Sequence, residues 1–159
     1  MNSAIQRLLS LRVADIMNPD VILVPASASM AEAASWLVEN EITGAPVVDA
    51  AGRCIGVIST SDYAMREHVH RRTARMTMQI QLDARENGSQ VTDIGQEPVT
   101  EHMTPLVHTV GPDAPIMIAA RRMCEEHVHR VIVTDKEGVP IGIVSSLDLV
   151  ASMVAAVEE

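Results

Sequence analysis

Apolar side chains return at helical spacing in two places along the chain. Met30, Ala33, Ala34, Leu37 and Val38 sit at i, i+3, i+4, i+7 and i+8, the spacing of one buried helix face, and Ile116, Ala119, Ala120, Met123 and Cys124 repeat it. Arg121, Arg122, Glu125 and Glu126 keep the opposite face of the second helix in water. A short apolar run leads into each helix, at 21–24 and 107–110, and predicts a strand; Ser27 or Asp113 is placed to cap the helix that follows. Pro115 is tolerated because it falls in the first turn, where its missing N–H leaves no bond unmade. Each helix is followed by two strand-like runs, 45–49 and 55–59 in the first case, 131–135 and 141–145 in the second, with Gly52 and Gly138 marking the turns. A further helix opens near Thr60 and again near Ser146, the last one carrying Leu147, Val150, Val154 and Val157 on one face. The predicted order is β-α-β-β-α twice, an α/β fold whose sheets need cover from each other's helices. Half of it should not be stable alone.

The two halves are copies of one unit. Sliding the chain by 86 residues aligns 13–65 with 99–151 without a gap, at about 16 identities in 53 positions. The shared landmarks include Met17 and Pro19 with Met103 and Pro105, Val47 and Asp49 with Val133 and Asp135, Ile55-Gly56 with Ile141-Gly142, and Ser59 and Asp62 with Ser145 and Asp148. The expected division is an N-terminal amphipathic helix within 1–12, a first repeat at 13–65, an insertion at 66–98, and a second repeat with a C-terminal helix at 99–159. In the insertion the preceding helix is expected to run on to about residue 74. An extended arm follows, because Met76, Met78, Ile80 and Leu82 alternate with polar residues, and Asn87-Gly88 signals a turn.

Charge and composition narrow the function classes. Twelve Lys and Arg stand against 21 Asp and Glu, a net charge of −9, so general affinity for nucleic acid or an anionic membrane is not expected. An anionic ligand must find a local basic pocket. Cys54 and Cys124 are too few for a zinc motif and read as two free thiols in a reducing cytoplasm; no run of 18 apolar residues suggests membrane insertion. With Trp36 and Tyr63 as the aromatic residues, a bound base would lie between aliphatic walls of Val, Ile and the ten Met. No nucleophile elbow, phosphate-binding Gly-Lys loop, Cys-His pair or metal set appears, and the chain is expected not to be an enzyme.

Each repeat ends its last strand in Gly-x-x-Ser-x-x-Asp, at Gly56, Ser59 and Asp62 and at Gly142, Ser145 and Asp148. One isolated Ser-x-x-Asp at a strand-to-helix junction is a helix cap. The same geometry also suits a ligand: the helix N-terminus and the Ser hydroxyl meet a phosphate, the carboxylate accepts from ribose hydroxyls, and the strand Gly leaves room for a planar base.

The duplicated unit, its Met-x-Pro start, the strands at 45–49 and 130–135 and the two Gly-x-x-Ser-x-x-Asp ends resemble CBS domains, paired as in the Bateman module. The resemblance covers about 106 of 159 residues. It implies two repeats about a pseudo-twofold axis, with AMP, ADP, ATP or another adenosyl compound in the clefts between them. On that analogy Ser59 and Ser145 contact phosphate, Asp62 and Asp148 contact ribose, and the backbone near Thr43, Gly44, Val128 and His129 meets the adenine edge. His129-Arg130 is similar to the phosphate-contacting His-Arg pair of the AMP-activated kinase gamma subunit, where the first repeat has Thr43-Gly44 instead. Ser61 adds a hydroxyl beside Asp62 that Leu147 does not supply beside Asp148, so two sites of unequal affinity are expected.

Glu-His-Val-His-Arg occurs at 67–71 and at 126–130, out of the repeat register. On a helix His68 and His70 point apart, and the run from Arg66 to Arg75 reads as a solvated basic face. The resulting expectation is a cytoplasmic, homodimeric regulatory module that binds an adenine nucleotide and alters a protein partner's activity. Alternatives are a constitutive dimerisation scaffold with vestigial clefts, or a sensor of S-adenosylmethionine, NAD or a cyclic dinucleotide. A metal or redox sensor using the His-rich arm and Cys124 is the third class.

Overall fold

The computed structural model of the chain describes residues 3–64, 94–105 and 108–158. Helix α1 (Ser3–Ser10) and the single turn α2 (Val13–Ile16) precede β1 (Val24–Pro25), α3 (Met30–Glu39), β2 (Gly44–Val48) and β3 (Cys54–Ser59). Helix α4 opens at residue 60 and is described to residue 64. Two 3₁₀ turns, Ile94–Gln96 and Val99–Glu101, lead into β4 (Thr104–Pro105), β5 (Thr109–Val110), α5 (Ile116–Glu125), β6 (Arg130–Thr134), β7 (Pro140–Ser145) and α6 (Ser146–Glu158). The expected extended arm and its helical approach, at 65–93, lie outside the described residues.

The described strands form two sheets, β1-β2-β3-β4 and β5-β6-β7. In each sheet a two-residue parallel strand flanks an antiparallel pair, with Val47 opposite Gly56 and Val133 opposite Gly142, and a bulge in the same place. The first strand is shorter than the apolar run at 21–24 suggests. Asn18 Oδ1 accepts from the Asp20 N–H at 2.9 Å and the Pro19 carbonyl accepts from the Val21 N–H, so this stretch turns before it can pair.

Helix α3 is capped by Ser29, not Ser27. The Glu32 N–H donates to Ser29 Oγ at 3.3 Å and the Ser29 N–H donates to Glu32 Oε2 at 2.8 Å, a reciprocal box that satisfies two orphan donors. These bonds, the backbone one first, hold the Glu32 carboxyl below its ordinary value. Pro115 stands one position earlier than expected, at the N-cap of α5, with no side-chain cap from Asp113. Met30, Ala33 and Leu37 are buried, as are Ile116, Ala119 and Met123, but Val38 is 77% exposed and Cys124 is exposed. At 100° per residue, position i+8 lies about 80° from i, at the rim of a face that one sheet covers.

The repeats interlock through their starting segments. Thr104–Pro105 of the second repeat pairs with β3 of the first, and Asn18 of the first pairs with Ile143 of the second. Val99 is fully buried in the core formed by Val24, Met30, Leu37, Val47 and Ile58, while Val13 is fully buried in the core of Val110, Met123, Val133 and Val144. Each core therefore takes a Val from the other repeat. The hydrogen bonds match under the 86-residue offset: Val13 N–H to the Ala114 carbonyl at 2.9 Å and Val99 N–H to the Ala28 carbonyl at 2.8 Å, Ile116 N–H to Leu11 and Met30 N–H to Glu97. Such pairs are what a pseudo-twofold axis requires.

Two helix ends aim the chain at the cleft described next. Glu41 and His127, again 86 residues apart, hold φ of 53° and 54°, and the following N–H groups of Ile42 and Val128 donate to the Leu37 and Met123 carbonyls. This left-handed turn closes each helix and directs residues 43–44 and 129–130 into β2 and β6.

Candidate functional site: a cleft between the repeats

A cavity of about 500 Å³ opens where the start of β2 and the end of β3 face the start of β6. The first repeat supplies Thr43, Gly44, Ala45, Val57, Ser59 and Ser61; the second supplies Thr104, Pro105, His108, Arg122, Glu126, the run from Val128 to Ile132, and Ile143. Its walls are aliphatic, as the scarcity of aromatic residues required, but Val and Ile provide them without Met. Met17 and Met103 are spent elsewhere. A carbon added at Gly56 would stand 2.5 Å from Met103 Sδ and 2.8 Å from the Thr104 carbonyl oxygen, and one at Gly142 would stand 3.0 Å from Met17 Cγ. The strand glycines thus admit the exchanged Met-x-Pro segment of the other repeat, and the space expected there for a planar base is filled.

Seven of the ten sequence-nominated residues meet in this cavity: Thr43, Gly44, Ser59, Ser61, Val128, His129 and Arg130. Arg130 Nη1 donates to Thr43 Oγ1 at 2.7 Å, a direct tie between the repeats. Ser59 Oγ lies 3.2 Å from Ser61 Oγ. Asp62 stands behind Ser59 rather than on the wall, its Oδ2 accepting from both the Ser59 N–H and the Ser59 hydroxyl at 2.7 Å. Ser145 and Asp148 lie outside this cavity, at the matching junction of the second repeat, where Asp148 Oδ2 accepts the same two bonds at 2.7 Å and Ser145 Oγ accepts from the Asp148 N–H at 3.2 Å. Ser145 and Asp148 form a reciprocal helix cap, whereas at Ser59 the half made by the Asp62 carboxylate is present.

The helix N-termini are also less open than expected. The first N–H of α4, at Thr60, donates to the Thr43 carbonyl at 3.0 Å, and that of α6, at Ser146, donates to the His129 carbonyl at 2.9 Å. These bonds fix the strand starts against the helix starts. At each junction one carboxylate oxygen is occupied; Oδ1 of Asp62 and of Asp148 has no partner among the described residues. The next residue, Tyr63, donates to the Met30 carbonyl at 2.8 Å, and burial, then the Asp62 charge, pushes its phenol up.

Sequence reasoning missed His108, Arg122 and Glu126. Arg122 Nη1 donates to His108 Nδ1 at 2.6 Å, and His108 Nε2 lies 2.9 Å from Glu126 Oε1. The spacing of Arg122 and Glu126, four apart on α5, puts both on one helix face, but the sequence treats that face as merely solvated. Among the described residues, Glu97, Glu101 and His102 also bring ligand atoms within 4.8 Å of one another, with His102 Nε2 2.6 Å from Glu97 Oε2. No metal ligands are nominated from the sequence, and the His-rich run at 66–75 lies outside the described residues.

The CBS domain profile matches residues 13–66 and 98–155. The chain belongs to the CBS domain family. A CBS domain pair solved with 5′-methylthioadenosine and S-adenosyl-L-methionine is 25% identical, with a TM-score of 0.67 over 89% of this chain and 98% of that one. A CBS-pair protein of Arabidopsis thaliana solved with AMP is 26% identical, with a TM-score of 0.68 over 93% of this chain and 98% of that one. An uncharacterised protein of Methanocaldococcus jannaschii is 29% identical over 127 residues, 73% of this chain and 76% of that protein. The match to homoserine O-acetyltransferase of Methanohalobium evestigatum is 28% identical over 86% of this chain, yet the chain spans 23% of that enzyme's length. What is shared with that enzyme is the CBS pair. No described helix of this CBS pair is long and apolar enough to cross a membrane.

Proposed function

We propose that this CBS pair is a regulatory module that binds an adenine nucleotide, AMP, ADP or ATP, between its repeats and catalyses no reaction of its own. The observation that carries the reading is the cavity itself, which gathers Thr43, Gly44, Ser59 and Ser61 from one repeat against Val128, His129 and Arg130 from the other. The two relatives solved with adenosyl compounds, both sharing at least a quarter of their aligned residues with it, support the ligand class. In the proposed pose Arg130 takes phosphate, the Ser59 and Ser61 hydroxyls turn from their present acceptors, Asp62 Oδ2 and Ser59 Oγ, to join it, Asp62 Oδ1 accepts from a ribose that reaches past Ser59, and the backbone at 43–44 and 128–129 reads the adenine edge. Ser145 and Asp148 do the same for a second, weaker or tighter, cleft.

Regulation follows from where the ligand sits. Arg130 spends one N–H on Thr43, across the repeats, so a phosphate that recruits Arg130 alters that tie. A ligand shifts an equilibrium between two arrangements only by its differential affinity for them, and contacts drawn from both repeats supply one. The exposed apolar face of α6, Leu147, Val150, Met153, Val154 and Val157, together with the exposed Ile5 and Leu9 of α1, a helix packed against α6, we assign to a homodimer contact in the cytoplasm. S-adenosylmethionine is the second reading, favoured by the relative solved with it.

A thermal-shift panel separates the two readings. AMP, ADP or ATP raises the melting temperature, because a ligand that binds the native state alone stabilises it by about 2.7 kcal/mol at a hundredfold excess over Kd. A shift with S-adenosylmethionine alone replaces the ligand. A flat response to all of them contradicts ligand sensing and leaves the dimerisation scaffold.

A further inference from the structure

The cleft beside Ser59 is locally basic on an acidic protein. Its lining contains two guanidinium groups, Arg122 and Arg130, against one carboxylate, Glu126, whereas the whole chain carries a net charge of −9. Arg122 reaches the cavity from α5, not from the strand-to-helix junction that holds the proposed phosphate contacts. His108 fixes it there. Because Arg122 Nη1 donates to His108 Nδ1, the ring proton sits on Nε2 and is donated to Glu126 Oε1, so three side chains form one chain of bonds along the wall. Nε and Nη2 of Arg122 have no partner among the described residues and remain as donors.

The internal duplication provides a control within the molecule. Under the 86-residue offset His108, Arg122 and Glu126 correspond to Ile22, Trp36 and Asn40. Trp36 packs against the first hydrophobic core instead of presenting a charge. The relay is therefore a property of one cleft and not of the fold unit, and neither helix capping nor core packing requires it.

We infer that Arg122, positioned by His108 and Glu126, makes this one cleft select ligands whose phosphate tail extends beyond a single phosphate. The inference rests on the adenine-nucleotide reading above and adds the tail length and the residue that reads it. Arg130 and the Ser hydroxyls serve a first phosphate; Arg122, on a separate element, serves the rest of the tail. A guanidinium forks onto phosphate oxygens where a lysine offers a point charge, so Arg122→Lys should retain only part of the preference.

Titration calorimetry with adenosine, AMP and ATP on wild type, Arg122→Gln and Arg122→Lys tests this. The expected result is an ATP affinity about ten- to a hundredfold lower in Arg122→Gln, the range of charge-assisted bonds, with AMP and adenosine affinities unchanged within about twofold. Arg122→Lys falls between wild type and Arg122→Gln, and it carries the test alone should Arg122→Gln not fold. Equal losses for AMP and ATP, with or without a loss for adenosine, or no loss for ATP, overturn the role of Arg122 and leave nucleotide binding standing. Absence of binding by wild type to all three overturns the nucleotide reading itself and the tail selection with it.

Discussion

At the scale of single residues the recurring device is the short polar side chain that closes a helix start. Ser29 with Glu32, Ser59 with Asp62 and Ser145 with Asp148 are three versions of it, and each leaves a carboxylate holding backbone or hydroxyl protons. For Glu32 the consequence is a pH dependence of known sign. Its folded carboxyl is held below the ordinary value of 4.5 by the Ser29 bonds, so its contribution is present above that value and is lost as pH falls through the lower, folded one. Denaturant melts of wild type and Glu32→Gln should therefore differ at neutral pH and converge in acid, as the pH drops below the ordinary 4.5 and through the lower, folded value. A difference that stays constant over that span would show that the box does not depend on the charge. The same scale shows what was hidden in the sequence. Ser27 and Ser29 are equally good caps by type, and only the position of Glu32 three residues on favours Ser29. Gly56 and Gly142 were legible as positions that admit a close neighbour, but that neighbour is a Met from across the interlock, which spacing along the chain does not reveal.

At the scale of elements, the left-handed helix ends at Glu41 and His127 are where side chains carry backbone strain. Each L-residue at φ near +55° pays about 1–2 kcal/mol that glycine avoids, partly offset by the greater freedom glycine has when unfolded. Glu41→Gly and His127→Gly should each stabilise the protein by roughly 0.5–1 kcal/mol, read as a higher denaturant midpoint with an unchanged slope. A lower midpoint for both would mean that the Glu and His side chains make contacts that outweigh the strain. Neither turn is announced by its sequence, because the signal for such a turn is Gly or Asn and neither residue is there. The helices and the antiparallel hairpins were legible, since β2, β3, β6 and β7 fall within a residue of the runs rich in Val and Ile. Of the two-residue strands, β1 and β5 were legible as strands at the ends of the apolar runs at 21–24 and 107–110, though shorter than those runs, and β4, with almost no apolar signature, was not. The seven residues that meet in the cleft were found from the repeat and the family resemblance. His108, Arg122 and Glu126 were not, because the 86-residue alignment shows that they differ from Ile22, Trp36 and Asn40 but not that their side chains meet on one wall of the cleft.

At the scale of the whole molecule, the exchanged segments make the two repeats one folding unit: each sheet is extended by residues of the other copy, and Val13 and Val99 fill each other's cores. Mutual cover by helices of the other repeat was expected from the sequence; among the described residues the start of each repeat supplies cover, in the first repeat through the helical turn α2 against β7. Helices α1 and α6 are left with exposed apolar residues, and a dimer at micromolar concentration should be seen by sedimentation velocity; a monomeric mass there would refute the assigned contact. The cleft is a product of the same interlock, since Thr104 and Pro105 line it as part of the exchanged strand. Its occupation by an adenine nucleotide is the central claim, and calorimetric titration of AMP into wild type and Asp62→Asn addresses it most directly. Asn keeps the size of the side chain and some capping ability but removes the charge that Oδ1 offers to ribose, so affinity should fall about ten- to a hundredfold. A denaturant melt of the same variant, expected to shift by no more than about 1 kcal/mol, separates lost binding from a lost cap. Identical AMP isotherms for wild type and Asp62→Asn, with the melt alone displaced, would contradict the account and leave Asp62 as a helix cap.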